Sequence, residues 1–67
     1  MNRSELSQAL RREIGSRTPG SALPGQRELC ASMGVTTWLL NETLRELEGE
    51  GIITVLPRKG IFVSDRG

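Results

Sequence analysis

The sequence predicts a domain of the α+β class, mainly α, in which three helices are followed by a two-stranded β-hairpin. Apolar residues recur every three or four positions through most of the chain, which is the period of an amphipathic helix. Near the C-terminus this period gives way to two β-branched runs on either side of a loop of turn-forming and basic residues, a pattern typical of a hairpin. Glycine and proline separate these segments, and 67 residues are enough for one small domain.

The first predicted helix covers residues 3–14. Asn2 and Glu5 have the spacing of a capping box, and Gly15 is expected to end the helix in the left-handed conformation. An apolar stripe with a spacing of four residues is expected to face the core: Leu6, Leu10 and Ile14.

A turn-rich connector, residues 15–24, leads to the second predicted helix, residues 25–33. Pro24 forces an extended backbone on the residue before it, so Leu23 is expected to fill the core. Cys30 is expected to be a small buried residue of the second helix.

A tight turn at Gly34 and Val35 precedes the third predicted helix, residues 36–50. Thr36 is a favourable N-cap, and Gly51 suits the left-handed stop after the last turn. The stripe expected to be buried is Leu40, Leu44 and Leu47. Two short helices joined by a tight turn are the helix-turn-helix arrangement.

The hairpin is predicted from strands at residues 52–56 and 61–64. Placed after a helix-turn-helix, such a hairpin makes a winged helix-turn-helix with the hairpin as the wing. The predicted domain spans residues 1–67, and the segment from Ser64 onwards resembles the start of a linker.

The composition excludes several classes of protein. The chain has no histidine, one cysteine and one aspartate, so it cannot supply a four-ligand zinc site or a histidine general base. We therefore expect no enzyme activity, no metal and no cofactor. No segment resembles a signal peptide or approaches the ~20 apolar residues that cross a bilayer, so we expect a cytoplasmic protein without membrane contact. With a net charge of +1, any nucleic-acid binding must depend on local basic patches.

Four motifs stand in order between Leu23 and Val63: LP-x-x-REL, a GV turn, E-x-L-R-x-LE-x-EG and P-x-x-G-x-FV. Together they resemble the N-terminal DNA-binding domain of GntR-type bacterial transcriptional regulators. The resemblance implies that the third helix lies in the major groove of double-stranded DNA and that the wing tip reaches the neighbouring minor groove. It also implies a homodimer on a pseudo-palindromic operator, held together by a metabolite-sensing C-terminal domain outside these 67 residues.

The family places arginines at three positions, which correspond to Arg27, Thr37 and Asn41 here. Arg27 keeps the guanidinium and can bind guanine through two hydrogen bonds. Asn41 can still pair with adenine, and Thr37 can contact a phosphate or a thymine methyl group. The full set of expected DNA contacts is Arg27, Thr36, Thr37, Trp38, Asn41, Arg45, Arg58, Lys59 and Gly60.

Trp38 occupies a position where the family commonly has a small hydroxyl residue. The helical spacing places it on or beside the DNA-facing surface, opposite the leucine stripe. Three alternatives follow: the indole packs on thymine methyl groups and sugars, it anchors a protein partner, or it folds back over Leu23 or the connector and completes the core.

The other charged residues of the helices have simpler interpretations. Arg45 binds a phosphate or pairs with a neighbouring glutamate. Arg11 and Arg12 are expected on a solvated face of the first helix. Three carboxylates are expected on the solvent side of the third helix and after it: Glu46, Glu48 and Glu50.

Two functions remain open from the sequence. The favoured one is a sequence-specific DNA-binding module in transcriptional control, because Arg27 and the basic wing are retained. The alternative is a winged helix that makes protein contacts through Trp38 and its neighbours, with weak or no DNA binding. The two lost arginines, the apolar run around Trp38 and the low net charge favour this alternative.

Overall fold

Three helices are followed by two antiparallel strands, which confirms the predicted fold class. The elements are α1 (Arg3–Gly15), α2 (Gln26–Met33), α3 (Thr37–Gly49), β1 (Ile53–Leu56) and β2 (Gly60–Val63). The structure, a computed structural model, describes residues 1–64. The end of the predicted domain and most of the predicted linker fall on residues 65–67 and lie outside the described residues.

Helix α3 is the centre of the fold, because it packs against α1, α2 and β1. Its predicted leucine stripe is buried, with Leu40, Leu44 and Leu47 at most 2% exposed. Thr43 is also buried completely, which the stripe did not predict. Its hydroxyl donates to the backbone oxygen of Leu39 at 2.9 Å, so the buried polar group is satisfied within the helix.

The turn between α2 and α3 follows the sequence prediction closely. Gly34 ends α2 in the left-handed conformation with φ 67°, which glycine adopts without steric cost. The backbone N–H groups of Gly34 and Val35 both donate to the oxygen of Cys30, at 2.8 and 3.2 Å. The Thr36 side chain then accepts from the N–H of Leu39 at 3.1 Å, so it is the N-cap that precedes α3.

The end of α3 is a Schellman motif, as the predicted stop at Gly51 requires. The N–H of Gly51, with φ 81°, donates to the oxygen of Glu48, and that of Ile52 donates to the oxygen of Leu47. The Glu48 carboxylate reaches on to β1 and accepts from the N–H of Val55 at 3.2 Å. Glu48 is therefore not merely solvated, because it joins the end of α3 to the first strand of the wing.

Helix α1 begins as predicted but ends differently. Asn2 and Glu5 form the reciprocal capping box, with distances of 2.8 and 2.9 Å. The predicted left-handed stop at Gly15 is wrong, because Gly15 belongs to the helix and Ser16 caps it in the right-handed conformation. The Ser16 N–H donates to the oxygens of Arg12 and Glu13, which closes the last turn without a left-handed residue.

The wing is paired on both sides of β2. Strands β1 and β2 are antiparallel, and Ile53, Ile61 and Val63 point into the core. The connector is not only turns, because it runs extended beside β2. The N–H of Leu23 donates to the oxygen of Ile61 at 2.7 Å, and that of Val63 donates to the oxygen of Ser21 at 2.9 Å. Leu23 is buried, as predicted, and these bonds hold the root of the wing against the helices.

An ionic network joins α1 to α3, and it corrects the expectation that Arg11, Glu46 and Glu50 are only solvated. The Arg11 guanidinium donates to both carboxylate oxygens of Glu50, at 2.6 and 2.7 Å, and to Glu46 at 3.2 Å. Arg3 donates to the other oxygen of Glu46 at 3.1 Å. The hydrogen bond from Arg11 lowers the pKa of Glu50, and that of Arg11 is raised mainly by the same bond.

We expect Glu50→Gln to destabilise the domain at neutral pH and to matter less in acid. Because folding lowers the pKa of Glu50 below its ordinary value of 4.5, the stabilisation is fully present above that value and is lost as the pH falls through the folded pKa. Urea unfolding of both proteins between neutral pH and acid measures the difference in the free energy of unfolding.

Glu28→Gln is the matched control, since Glu28 makes no ion pair within residues 1–64. A difference for Glu50→Gln that stays constant down to strongly acidic pH contradicts the role of the Arg11–Glu50 pair.

Candidate nucleic-acid interface

The exposed face of α3 lies opposite its buried leucine stripe. Thr37, Trp38, Asn41 and Arg45 are all exposed, and Trp38 is 70% exposed. The alternative in which Trp38 folds back and completes the core is therefore wrong. Two steps along a helix turn a side chain by about 200°, so the burial of Leu40 directs the indole towards solvent.

A cleft of about 430 Å³ separates α3 from the wing. We call it the α3–wing cleft, and its walls include Trp38, Asn41 and Arg45 of α3. Gln26 of α2 and Val55 of β1 close its other sides. The cleft therefore collects three predicted contact residues beside the wing.

A second cleft, of about 490 Å³, lies between the start of α2 and the wing tip. Arg58, Lys59 and Gly60 line it, together with Gln26. Gln26 is exposed and borders both clefts, although the sequence did not single it out. Its place at the first turn of the helix that precedes α3, next to Arg27, is the signal that could have identified it.

The remaining predicted contacts, Arg27, Thr36 and Thr37, line neither cleft. All three are exposed, at the start of α2 and of α3. The hydroxyl oxygen of Thr36 already accepts the capping hydrogen bond. The Thr37 hydroxyl lies 3.8 Å from the thiol of Cys30. Cys30 borders this exposed turn, so it is half-buried and not buried as predicted.

The wing tip is a tight turn with an unusual residue at its third position. The N–H of Lys59 donates to the oxygen of Leu56 at 3.0 Å, and Pro57 and Arg58 lie between them. Arg58 has φ 66° and is the one non-glycine residue with positive φ within the described chain. Proline second and positive φ third are features of a type II turn, which normally has glycine at the third position. The side chain makes this conformation cost about 1–2 kcal/mol.

Most of the unpaired cations lie on the helix-turn-helix and the wing. Arg3 and Arg11 pair with carboxylates of α3, and Arg17 pairs with Glu13 at 2.7 Å. By contrast, four cations of α2, α3 and the wing make no ion pair within residues 1–64: Arg27, Arg45, Arg58 and Lys59. The alternative in which Arg45 pairs with a neighbouring glutamate is therefore wrong. Two carboxylates, Glu42 and Glu48, also border the α3–wing cleft, so its charge is mixed.

Other kinds of site find little support among residues 1–64. No helix formed by them combines the length and the apolar character that crossing a bilayer requires. Their cysteine and glutamate side chains form no group of three that could hold a metal ion.

Comparison with known proteins identifies the family of this domain. Residues 2–63 match the model of the family described as bacterial regulatory proteins, gntR family. The chain belongs to this family. It is a GntR-family helix-turn-helix DNA-binding domain, of a class that consists of transcriptional regulators and not of enzymes.

A curated relative from Streptomyces ambofaciens is an uncharacterized HTH-type transcriptional regulator in an unstable DNA locus. It is 48% identical over 46 residues, which are 69% of this chain and 19% of the relative. The GntR-family domain described here thus spans about a fifth of the length of that relative.

Solved structures share the fold at lower identity. A GntR family transcriptional regulator from Listeria monocytogenes has a TM-score of 0.87 at 23% identity, over 96% of this chain and 58% of its own. A chain in the crystal structure of mutant ORR3 in complex with the NTD of AraR has a TM-score of 0.87 at 20% identity, over 92% of the present chain and 91% of its own. The possible transcriptional regulator YydK from Bacillus subtilis has a TM-score of 0.86 at 24% identity, over 100% and 31%.

We expect Arg58→Gly to raise the free energy of unfolding by up to about 1.5 kcal/mol. Relief of about 1–2 kcal/mol of backbone strain exceeds the extra entropy that glycine adds to the unfolded chain, about 0.5–1 kcal/mol. Lys59→Gly is the matched control, because Lys59 does not have a positive φ. Its replacement relieves no strain, so this variant should have a lower free energy of unfolding than the parent protein. Urea unfolding measures both variants, and equal destabilisation of the two contradicts the strain at Arg58.

We expect the fluorescence of Trp38 to be that of a water-exposed indole. Trp38 is the one tryptophan and the chain has no tyrosine, so its emission is observed without interference. The emission maximum should barely move on unfolding in urea, and iodide should quench the folded protein efficiently. In a Trp38→Phe, Phe62→Trp variant the indole occupies a half-buried position and should emit at shorter wavelength. A large red shift of the parent protein on unfolding would contradict the exposed position of Trp38.

Proposed function

We propose that this domain binds a specific sequence of double-stranded DNA in transcriptional control, with α3 in the major groove and the wing in the neighbouring minor groove. The observation that carries the proposal is the position of four unpaired cations. Arg27, Arg45, Arg58 and Lys59 are exposed and make no ion pair within residues 1–64, and they belong to the helix-turn-helix and the wing. Unpaired cations gathered on one part of a protein are what a phosphate backbone attracts.

The shape of the domain supports the same arrangement. The major groove of B-DNA admits an α-helix, and α3 presents an exposed face of polar and aromatic side chains to it. The wing stands across the α3–wing cleft from that face, so it can reach the next groove while α3 is inserted. Arginine is attracted to narrow minor grooves, where the negative potential is enhanced, and the wing tip offers Arg58.

The contact residues divide into two groups by chemistry. Base edges are assigned to the guanidinium of Arg27, which binds guanine, and to Asn41 and the residues beside it. Phosphates are assigned to Thr36, Arg45, Arg58 and Lys59 and to the N-termini of α2 and α3, and Gly60 lets the wing backbone approach the DNA closely.

We propose that the protein acts in the cytoplasm as a homodimer on a pseudo-palindromic operator, with dimer contacts made outside the 67 residues. The relative from Streptomyces ambofaciens is long enough for a further domain, since the match covers 19% of it. A single copy of this domain is therefore expected to bind an operator half-site weakly.

A second candidate function is a protein interface centred on Trp38. The observation that favours it is the exposed indole next to the half-buried Leu39, because tryptophan is enriched among the anchors of protein interfaces. The unpaired cations favour DNA instead, since a phosphate backbone attracts them.

We expect DNA affinity to fall steeply with salt. Since three cations are assigned to phosphates, Arg45, Arg58 and Lys59, the logarithm of the binding constant should fall with the logarithm of salt concentration with a slope of about −2.7. The probe is the duplex that the chain itself selects from a random pool, titrated by fluorescence anisotropy. Arg27→Ala should weaken binding to it by about 1–3 kcal/mol and relax the preference at one base pair.

Arg12→Ala is the matched control, because Arg12 is exposed on α1 and makes no ion pair within residues 1–64. It should leave the affinity nearly unchanged. Equal affinity of Arg27→Ala and the parent contradicts the role of Arg27. No selected duplex at low salt, together with self-association that Trp38→Ala abolishes, supports the protein interface instead.

A further inference from the structure

We infer that α3, together with Gln26 of α2, reads A·T base pairs, with the side-chain amides of Gln26 and Asn41 directed to adenine and the indole of Trp38 to the thymine methyl group. The inference rests on the proposed function, and it names the base composition of the DNA that this face of α3 recognises.

The first observation is that the start of α3 presents no cation. Its exposed side chains, Thr37, Trp38 and Asn41, are neutral, and the first cation on this face is Arg45, one turn beyond Asn41. Recognition of guanine depends most often on arginine or lysine, which donate to its two acceptors, O6 and N7. The part of α3 that enters the groove first therefore lacks the group that selects a G·C pair.

The second observation is that two side-chain amides share one cleft. Gln26 and Asn41 both line the α3–wing cleft, and both are exposed. Neither side chain is held by a hydrogen bond to another part of the described chain. An amide offers one donor and one acceptor side by side, which matches the N7 acceptor and N6 donor of adenine.

The third observation is the exposure of Trp38. At 70% it is the most exposed large apolar side chain within residues 1–64, above Met1 and Leu56. The C5-methyl group of thymine is the apolar group that the major groove offers at a base edge. Contact with it removes the indole from water, whereas a G·C pair presents no methyl group there.

The experiment uses the duplex that the chain selects from a random pool, with single-atom or single-group changes in its bases. Replacing thymine by uracil beneath α3 removes only the methyl group and should weaken binding about fourfold, as expected for one buried methyl group. Replacing adenine by 7-deazaadenine removes the N7 acceptor and should weaken binding about tenfold.

Protein variants identify which side chain reads which group. The uracil effect should vanish in Trp38→Ala, and the 7-deazaadenine effect should vanish or shrink in Asn41→Ala and Gln26→Ala. Arg12→Ala should keep both effects. Asn41→Arg should change the selected base pair from A·T to G·C. These positions are exposed, so circular dichroism is expected to be that of the parent protein.

Failure of the inference differs from failure of the proposed function. If no duplex is selected even at low salt, the proposed DNA binding itself is overturned. If a duplex is selected but the pairs that change with Asn41→Arg are G·C in the parent, or if uracil weakens the parent and Trp38→Ala equally, DNA binding stands and the inferred A·T recognition is wrong.

Discussion

The burial of one face of α3 is the constraint on which the rest of the domain depends. Leu40, Leu44 and Leu47 form the contact that α1, α2 and β1 share, and a helix with one face buried must present the other to solvent. The rotation of α3 that is best for the core is therefore the rotation that exposes Trp38 and Asn41. The same helical period fixes which side chains of α3 are buried and which are exposed, so rotating α3 about its axis would change the core and the exposed face together.

Electrostatics follows from that geometry. The back of α3 carries Glu46 and Glu50, which are compensated by Arg3 and Arg11 of α1. Because these pairs neutralise one another, the unpaired cations of the helix-turn-helix and wing are not offset by the acidic residues of the back. A net charge of +1 is thus compatible with nucleic-acid binding, since the arrangement of charges and not their sum determines the local potential.

The wing is held to the rest of the domain by hydrogen bonds at its base, and its backbone is strained at the tip. Pairing of the connector with β2 places Leu23 in the core and holds the hairpin against α3. At the other end, Arg58 occupies a backbone conformation that glycine would adopt more easily. Strain of this kind is commonly found at functional sites. Glycine would form this turn with less strain, so an arginine here is explained by its side chain and not by the turn.

Most local interactions were determined by the sequence alone, and the end of α1 at Ser16 is the exception. The caps at Asn2 and Thr36 and the stop at Gly51 were predictable, because each depends on residues three to five positions apart. So were the buried stripes, the fold class and the family, which depend on periodicity and motif spacing. The tertiary structure alone decided that Arg11 pairs with Glu50, 39 positions away, and that Gln26 faces the same cleft as Asn41. Such pairs are brought together by helix packing and by the path of the connector, and no spacing in the sequence encodes that distance.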